Sequence, residues 1–466
     1  MGISWQALGD TVFLVSRDGD RPLLYAPLQG LVLEANDAYV ERFRAALGAD
    51  EDAARAIGLE PETVADLARV PDEVRRTFDP VWPEVFEPTS VTLFLTHKCT
   101  LRCVYCYCEG GAGRDIDWPV LERAVRFVLG NAQRLGRDAR VAFHGGDVGA
   151  CWPLFRRAVE FVEAESAAAG VKTSLSIGTN GFYTEEQAAY IAAHIASATV
   201  SIDGTPAVHD RSRITPGGGP SLATVLRSLA IFESGGLSYS IRMTVTAESL
   251  PALAGSVAYL CENTHARTIR AEPLYARGRA TASHLQAPEP EAFVAAYRQA
   301  RTVAEGYGRR LTYSGARISG SAPAFCSFAR PTFGVTPDGD LTCCYEILHP
   351  DDPLAAEFFY GHIEPDGSAI VVDEEQVAAI RAGAKTRRQG CAHCFCVYAC
   401  AGDCAAKTID SGRGDGESTG RCEITRALVY DMLECALAGQ DPTKPTGEAP
   451  PVSAVAVGPH LCVERS

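Results

Sequence analysis

Six short apolar runs alternate with amphipathic helical patterns between residues 91 and 275, and this alternation restricts the fold more than any other feature. The runs are VTLFL (91–95), RVAFHG (140–145), TSLSIGTN (173–180), ATVSID (198–203), SYSIRMTV (238–245) and TIRAEPL (268–274). Strands that are each followed by a helix form a parallel sheet, because right-handed crossovers return the chain to the same sheet direction. We therefore predict an α/β fold containing a partial (β/α)6 TIM-like barrel, with functional groups at the carboxyl ends of its strands.

The residues on either side of these repeats differ in composition and predict further segments. Residues 1–85 contain strand-like runs followed by helical patterns, which indicates a small β+α module. We expect the barrel to occupy residues 90–310 and a Cys-rich domain to occupy residues 320–438. That domain has few core-forming residues, so bound metal clusters would organise it. Residues 439–466 have the composition of a flexible or draped tail.

The charge balance narrows the range of partners. The chain has 43 Lys plus Arg against 58 Asp plus Glu, for a formal net charge of −15, and no basic run interrupts this excess. A nucleic-acid backbone or an anionic membrane would be repelled on average, so we expect neither as a partner. The N-terminus lacks an apolar signal core and no run of eighteen apolar residues follows, which predicts a cytoplasmic protein.

Cysteine usage must then be explained in a reducing compartment. The chain has 17 cysteines, an odd number, and stable disulfides are rare in the cytoplasm. The stretch CTLRCVYCYC (99–108) places Cys99, Cys103 and Cys106 in a C-x3-C-x2-C pattern directly after the first predicted strand. Three thiolates on one loop can hold a [4Fe–4S] cluster and leave its fourth iron open. A zinc site would need a fourth ligand, for which Cys108 and His97 are available, so the spacing alone leaves both interpretations open.

The loop resembles that of the radical SAM superfamily, which carries C-x3-C-x-aromatic-C after the first barrel strand. The resemblance implies a [4Fe–4S] cluster on Cys99, Cys103 and Cys106, whose open iron chelates S-adenosyl-L-methionine. It further implies that a reductant such as flavodoxin or ferredoxin delivers an electron, and that the cofactor then yields a 5′-deoxyadenosyl radical. That radical would abstract hydrogen from the substrate, which makes the chain an oxidoreductase.

Three further motifs follow in the order that the family has them. HGGDV (144–148) resembles the family's GGEP, although Asp replaces Glu and Val replaces Pro, which keeps the acceptor but shortens it. TNGF (179–182) follows the third predicted strand and SIDGTPAVHDRSR (201–213) follows the fourth. Each motif alone is usually a turn or loop, but four in order at successive strands support the resemblance. The implied contacts with the cofactor are Tyr105, Gly145, Gly146 and Asp147 (methionine amine), Asn180, Ser201 (ribose) and Arg213 (methionine carboxylate).

A second group of cysteines lies in the C-terminal third. CAHCFCVYACAGDC (391–404) contains C-x2-C-x5-C-x3-C, and the wider pattern resembles the seven-cysteine SPASM domain, which binds two auxiliary [4Fe–4S] clusters. Two C-x2-C motifs together also occur in zinc ribbons, so a zinc site is the alternative interpretation. With the cluster of the barrel, the resemblance implies three [4Fe–4S] clusters. The implied ligands are Cys391, Cys394, Cys400 and Cys422 for an outer cluster, and Cys326, Cys344 and Cys404 for an inner one.

The fourth ligand of the inner cluster is left open. Cys343 lies between the first two inner ligands, but neighbouring residues of an extended strand point to opposite faces, so Cys343 and Cys344 would need a local bend to share a cluster. The inner iron is therefore open to substrate or takes another ligand such as Cys396. Tyr345 and Glu346, which follow directly, are the candidate general bases of the reaction.

The resemblance favours a peptide as the substrate. SPASM-containing relatives include peptide maturases, sulfatase maturases and some small-molecule dehydrogenases. Sulfatase maturases have Asp directly after the second inner-cluster cysteine, where this chain has Tyr345. We predict maturation of a ribosomally made precursor peptide through an oxidative thioether or C–C crosslink, with residues 1–85 as a leader-peptide recognition element that pairs at a sheet edge. The alternatives are formylglycine formation of the sulfatase-maturase type and, from another class, a multicluster electron carrier or a zinc-stabilised binding protein.

Overall fold

The computed structural model describes residues 2–9, 11–48, 50–68, 85–108, 113–318, 325–326, 332–412, 420–438 and 455–456. The chain divides into two compact units. One unit, called here the terminal unit, consists of residues 1–82, 314–326 and 383–466; the other, the barrel unit, consists of residues 83–313 and 327–382.

The N-terminal residues form an antiparallel sheet followed by three helices. Its strands are β1 (Ile3–Ala7), β2 (Phe13–Arg17), β3 (Leu23–Ala26) and β4 (Leu31–Glu34), which pair in sequence order. The helices are α1 (Asp37–Leu47), α2 (Glu51–Ala56) and α3 (Pro61–Ala68). The side chains of Asn36 and Asp50 cap the first two helices by accepting from backbone amides of the first turn.

The barrel unit contains the six predicted strands, all parallel and in sequence order. They are β5 (Ser90–Phe94), β6 (Ala139–His144), β7 (Thr173–Thr179), β8 (Ser197–Ser201), β9 (Ser238–Val245) and β10 (Thr268–Pro273), and β11 (Arg310–Thr312) adds a parallel edge strand. The helices are α4 (Trp118–Leu135), α5 (Trp152–Ala169), α6 (Glu185–His194), α7 (Pro206–Ser212), α8 (Leu222–Ser234), α9 (Leu253–Asn263), α10 (Arg279–Ala282) and α11 (Pro290–Gly306). The predicted α/β fold is confirmed, and in β6 buried side chains alternate with more exposed ones.

The sheet of the barrel unit continues beyond the predicted strands. Strand β12 (Thr332–Val335) pairs in parallel with β5, and β13 (Asp340–Thr342), β14 (Phe359–Ile363) and β15 (Ile370–Val372) extend the sheet in antiparallel order. A short helix, α12 (Ala355–Phe358), precedes β14. Composition groups these residues with the Cys-rich segment, whereas hydrogen bonding joins them to the parallel sheet.

The C-terminal residues are mostly helical, with α13 (Glu374–Gly390), α14 (Val397–Cys400), α15 (Ala405–Asp410) and α16 (Gly420–Leu437). Within the terminal unit, Phe13 and Tyr25 of the N-terminal sheet share one apolar core with Phe395 and Tyr430. Strand β16 (Val455–Ala456) pairs antiparallel with β4. The rest of the predicted tail from residue 439 on lies outside the described residues. In the described part of the chain, no helix has the length and apolar character needed to span a bilayer.

Candidate iron–sulfur centres

The loop after β5 brings three thiols together. Burial raises the pKa of Cys99 to about 12 and that of Cys103 to about 11. The thiols of Cys103 and Cys106 raise the pKa of Cys99 further, so the three sulfurs lie within electrostatic range of one another. The pKa of Cys106 is lowered to about 5, chiefly because the Cys108 thiol donates a hydrogen bond to its sulfur. Cys108, which the sequence offered as a fourth ligand of a zinc site, therefore contacts a predicted cluster ligand.

Each of the three sulfurs has a hydrogen-bond donor beside it. Such donors stabilise thiolates and influence the potential of iron–sulfur clusters, so this environment fits a cluster bound through these three cysteines. The donors are the Leu101 backbone amide and the Asn180 side-chain amide to Cys99, each at 3.5 Å, the Arg213 guanidinium to Cys103 at 4.0 Å, and Cys108 and Arg279 to Cys106.

The two glycines after β6 pack against the backbone of the cysteine loop. Gly145 has a φ of +133°, and a Cβ there would lie 2.5 Å from the Thr96 carbonyl oxygen; a Cβ on Gly146 would lie 1.9 Å from that of Lys98. The Gly146 amide donates to the Thr96 carbonyl at 2.8 Å. Only glycine permits this approach, so the motif positions the loop that leads to Cys99.

Asp147 is buried and has four protein donors. Its carboxylate accepts from the Gly149 amide, the Thr179 hydroxyl and the Asn180 amide, each at 2.9 Å. Burial raises the pKa of Asp147, while these hydrogen bonds oppose the rise. The Tyr183 hydroxyl is the fourth donor, and a carboxylate accepts about four hydrogen bonds, so the contact of Asp147 with the methionine amine stays a prediction, with these protein donors as its competitors.

Asp203 lies at the centre of a buried network that the sequence motifs did not predict. Arg213 donates to both of its carboxylate oxygens, at 3.1 and 3.2 Å, and the Tyr105 hydroxyl and the Thr244 amide also donate to it. The side chains of Arg213 and Asp203 are 8% and 0% exposed. Burial lowers the pKa of Arg213, but the neighbouring carboxylate and thiol outweigh it, so the net shift is upward. The contact of Arg213 with the methionine carboxylate stays a prediction, with Asp203 as its competing partner.

The loop after β10 is a second feature that the motifs missed. Gly278 has a φ of +56°, and a Cβ there would lie 2.7 Å from the Cys106 carbonyl oxygen. The Arg279 amide donates to that carbonyl at 3.0 Å, and its side chain donates to the Cys106 sulfur. The only sign of this contact in the sequence was the glycine-arginine pair, Gly278 and Arg279, that follows the last predicted barrel strand. Ser201, the last residue of β8, lies at the same carboxyl edge of the sheet.

The candidate bases lie beside the first two barrel strands. The Tyr345 hydroxyl is 3.0 Å from the Thr92 hydroxyl, and its ring centroid is 5.6 Å from that of His144. The Glu346 amide donates to the Cys344 sulfur at 3.4 Å. Because β13 ends at Thr342 and the chain bends next, the extended-strand argument against a shared cluster does not apply here. The roles of Tyr345 and Glu346 stay predictions.

A cavity of about 180 Å³ lies among the cysteines of the terminal unit. Burial raises the pKa of Cys391 to about 11, and the Cys394 and Cys422 thiols raise it further; Cys400 is influenced in the same way by Cys422 and Cys394. The enclosure and the four thiols fit a [4Fe–4S] cluster. The cavity walls include all four cysteines predicted for the outer cluster: Cys391, Cys394, Cys400 and Cys422.

Two donors to Cys394 also line this cavity. The Cys396 thiol and the Arg426 guanidinium donate hydrogen bonds to its sulfur, and the pKa of Cys394 falls to about 6, chiefly through Cys396. Arg426 also lies over the Trp5 ring, 4.4 Å from its centroid, and the Trp5 indole donates to the His393 carbonyl at 2.9 Å. The first strand of the chain thus forms part of the wall.

The predicted inner ligands fall in both units. Cys326 and Cys404 belong to the terminal unit and Cys344 to the barrel unit. Their assignment to one inner cluster, and its fourth ligand, stay predictions.

Comparisons with known proteins match part of the chain. Residues 93–248 match the Radical SAM superfamily. An uncharacterised protein of Methanocaldococcus jannaschii is 26% identical over 169 residues, which cover 36% of this chain and 57% of that protein. Sporulation killing factor maturation protein SkfB of Bacillus subtilis is 26% identical over 197 residues, covering 42% of this chain and 44% of SkfB. The chain therefore spans about half the length of the curated relatives it matches.

A solved structure shares the fold over a larger part of the chain. Native anSMEcpe, with bound AdoMet and Cp18Cys peptide, superposes with a TM-score of 0.58 at 17% identity. The similarity covers 74% of this chain and 97% of that one.

Proposed function

We propose that this chain, which carries a radical SAM domain over residues 93–248, is a maturase that introduces an oxidative crosslink into a ribosomally made peptide. One observation carries the proposal: three convergent cysteine sulfurs, each with a hydrogen-bond donor, follow β5 and are held by a glycine motif that follows β6. Protein thiols that leave one iron open are what S-adenosyl-L-methionine needs for chelation.

When bound, the reduced cluster and S-adenosyl-L-methionine supply a radical that removes one hydrogen atom from the substrate. The residues of the chain would position these groups and shield them from water. Asp203 holds Arg213 and Tyr105 together beside Cys103, and Asn180 joins the Cys99 sulfur to the strand end at Asp147. Their burial excludes water from the reacting centre.

Closing the crosslink removes a second electron and a proton from the substrate. We propose that this electron passes to the clusters bound by the cysteines of the terminal unit. Its final acceptor would be a carrier such as flavodoxin or ferredoxin. The cavity lined by the four outer-cluster cysteines supports this assignment. Three [4Fe–4S] clusters in total are part of the proposal.

A peptide substrate is supported by the N-terminal sheet. Strand β4 pairs with a short antiparallel strand, β16, at its outer edge, which shows that this edge can take an added strand; a leader segment that pairs there would take the place of β16. SkfB is by its name a maturation protein, and anSMEcpe has been solved with a peptide. We therefore propose that the outer edge of β4 recognises an extended leader segment.

The alternative reaction is formylglycine formation of the sulfatase-maturase type, which the sequence left open. The Tyr345 hydroxyl is hydrogen-bonded to the Thr92 hydroxyl. The position next to Cys344 therefore has a phenol where sulfatase maturases have a carboxylate base.

The test uses anaerobic protein with reconstituted clusters, dithionite, S-adenosyl-L-methionine and peptides encoded beside the gene. We expect 5′-deoxyadenosine together with a peptide that has lost two hydrogen atoms and carries a crosslink in its fragmentation spectrum. An aldehyde in the peptide would favour formylglycine formation instead. An electron carrier or a zinc-stabilised binding protein would produce no 5′-deoxyadenosine, and the variant Cys103→Ala provides the matched inactive control.

A further inference from the structure

A group of metal-ligating side chains lies in the barrel unit, apart from the cysteine sulfurs. Nε2 of His97 is 3.1 Å from Oδ2 of Asp338, and the rings of His97 and His349 stack with centroids 4.1 Å apart. One ligand atom from each of the three residues lies within 4.8 Å of the other two. The His97 side chain is only 5% exposed, so this group is partly shielded from water.

We propose that His97, Asp338 and His349 bind one divalent first-row transition-metal ion, such as zinc or iron(II). Two imidazoles and one carboxylate bind such transition-metal ions better than they bind magnesium or calcium, which favour ligand sets made only of oxygen. Three protein ligands also leave a coordination position for water. The site is additional to the cysteine clusters and does not depend on the proposed maturase activity.

The observed separation of His97 and Asp338 fits two ligands of one ion. Bonds of about 2.0–2.2 Å at angles between 90° and 110° place neighbouring ligand atoms roughly 3.0–3.5 Å apart. The separation of 3.1 Å lies within this range, so an ion that replaces the shared proton requires the two side chains to be re-aimed but not moved apart.

Two local features must adjust for the third ligand to bind. The rings of His97 and His349 are inclined by only 24°, so the His349 ring must turn about its Cβ–Cγ bond, a torsion with a broad energy minimum. Nη1 of Arg114 lies 3.9 Å from Oδ1 of Asp338, but Arg114 also pairs with Asp117 and keeps that carboxylate partner when a cation arrives.

The ion would connect three loops of the barrel unit. His97 precedes the predicted cluster ligand Cys99 by two residues, Asp338 lies in the turn between β12 and β13, and His349 follows the Cys344 loop. Metal binding would therefore restrain the segment that presents Cys99.

The test measures zinc in the full-length, cluster-loaded chain after dialysis against buffered free zinc. We expect about one zinc per chain in the wild type, and at least tenfold weaker retention in His349→Ala and in the isosteric Asp338→Asn. His265→Ala changes an exposed histidine elsewhere in the barrel unit and should retain zinc like the wild type. Iron and sulfide contents that match the wild type show that each variant has folded.

Zinc K-edge absorption identifies the ligands independently of activity. A shell of nitrogen and oxygen at about 2.0–2.1 Å, lost in His349→Ala, supports the site, whereas sulfur at about 2.3 Å assigns the zinc to cysteines and overturns it. Equal zinc retention in wild type and both site variants, or no zinc retained by the wild type, also overturns the proposal.

Discussion

The replacement Asp203→Asn tests the buried network around the predicted cluster loop. Asp203 accepts two hydrogen bonds from Arg213 and further ones from Tyr105 and the Thr244 amide, and its side chain is fully buried. Asparagine has nearly the same shape but no charge, and its NH2 group would face donors. Arg213 would then be a buried cation without a counterion, which costs about 3–5 kcal/mol.

This cost predicts a large change in thermal stability. For a unit of this size, 1 kcal/mol shifts the melting temperature by about 2–4 °C, so we expect a loss of roughly 6–20 °C. Calorimetry of the anaerobic, cluster-loaded protein measures the shift. The matched control is Glu248→Gln, which removes the partner of Arg211 in an ion pair whose side chains are 60% and 66% exposed. Exposed pairs contribute about 0–1 kcal/mol, so the control should melt within a few degrees of the wild type.

A double variant separates the charge from the shape of the site. Asp203→Leu combined with Arg213→Met removes both charges, and replacing a buried ion pair by apolar residues is often neutral or stabilising. We expect the double variant to melt closer to the wild type than Asp203→Asn does. The reasoning is refuted if Asp203→Asn melts with the Glu248→Gln control, or if the double variant melts below the single one.

Three further predictions concern other parts of the chain. Cys400→Ala should remove about four iron atoms per chain, since it breaks one four-iron cluster, and a colorimetric iron assay measures the loss. Gly146→Ala forces a Cβ within 1.9 Å of the Lys98 carbonyl and should abolish 5′-deoxyadenosine formation, whereas Gly130→Ala, with no atom within 4 Å, should leave it unchanged. Burial lowers the pKa of His209 to about 4. Between pH 4 and pH 6.5 the unfolded chain therefore binds more protons than the folded chain. We expect the free energy of unfolding to be highest above pH 6.5 and to fall by about 3 kcal/mol as the pH drops toward 4. Melting curves of the wild type and His209→Gln over this pH range measure the difference.

Each of these has an outcome that contradicts it. Unchanged iron in Cys400→Ala would remove the outer cluster from the proposal. Equal product from the two glycine variants would show that the glycine motif does not position the cysteine loop. A melting temperature with the same pH dependence in wild type and His209→Gln would mean that this histidine is not the group that titrates.

The strands and their motifs could be predicted because their signals are local. Each strand is a short apolar run between helical patterns, and all six predicted runs overlap observed parallel strands. Parallel strands end at one edge of the sheet, so their order alone places the loops that carry Cys99, Gly146 and Asn180 near one another. The residue types that surround the candidate cluster site could therefore be predicted from the sequence alone.

The partners of these residues could not be predicted in the same way. Asp203 was visible within a matched motif, but its bonds to Tyr105 and Arg213 depend on how two loops fold back over a strand end. Likewise, the sequence shows that residues 145 and 146 are glycines, whereas the need for glycine arises from carbonyl oxygens some 50 residues earlier.

The sequence by itself determined the α/β alternation, the positions of the cysteines and the residue types at the strand ends, because these depend on short-range periodicity and spacing. Only the tertiary structure decided that Phe13 and Tyr430 belong to one core, that β12–β15 extend the parallel sheet, and that His97, Asp338 and His349 meet. These contacts join residues far apart in the chain, and they form through the burial of apolar surface and the satisfaction of buried polar groups, neither of which leaves a local pattern in the sequence.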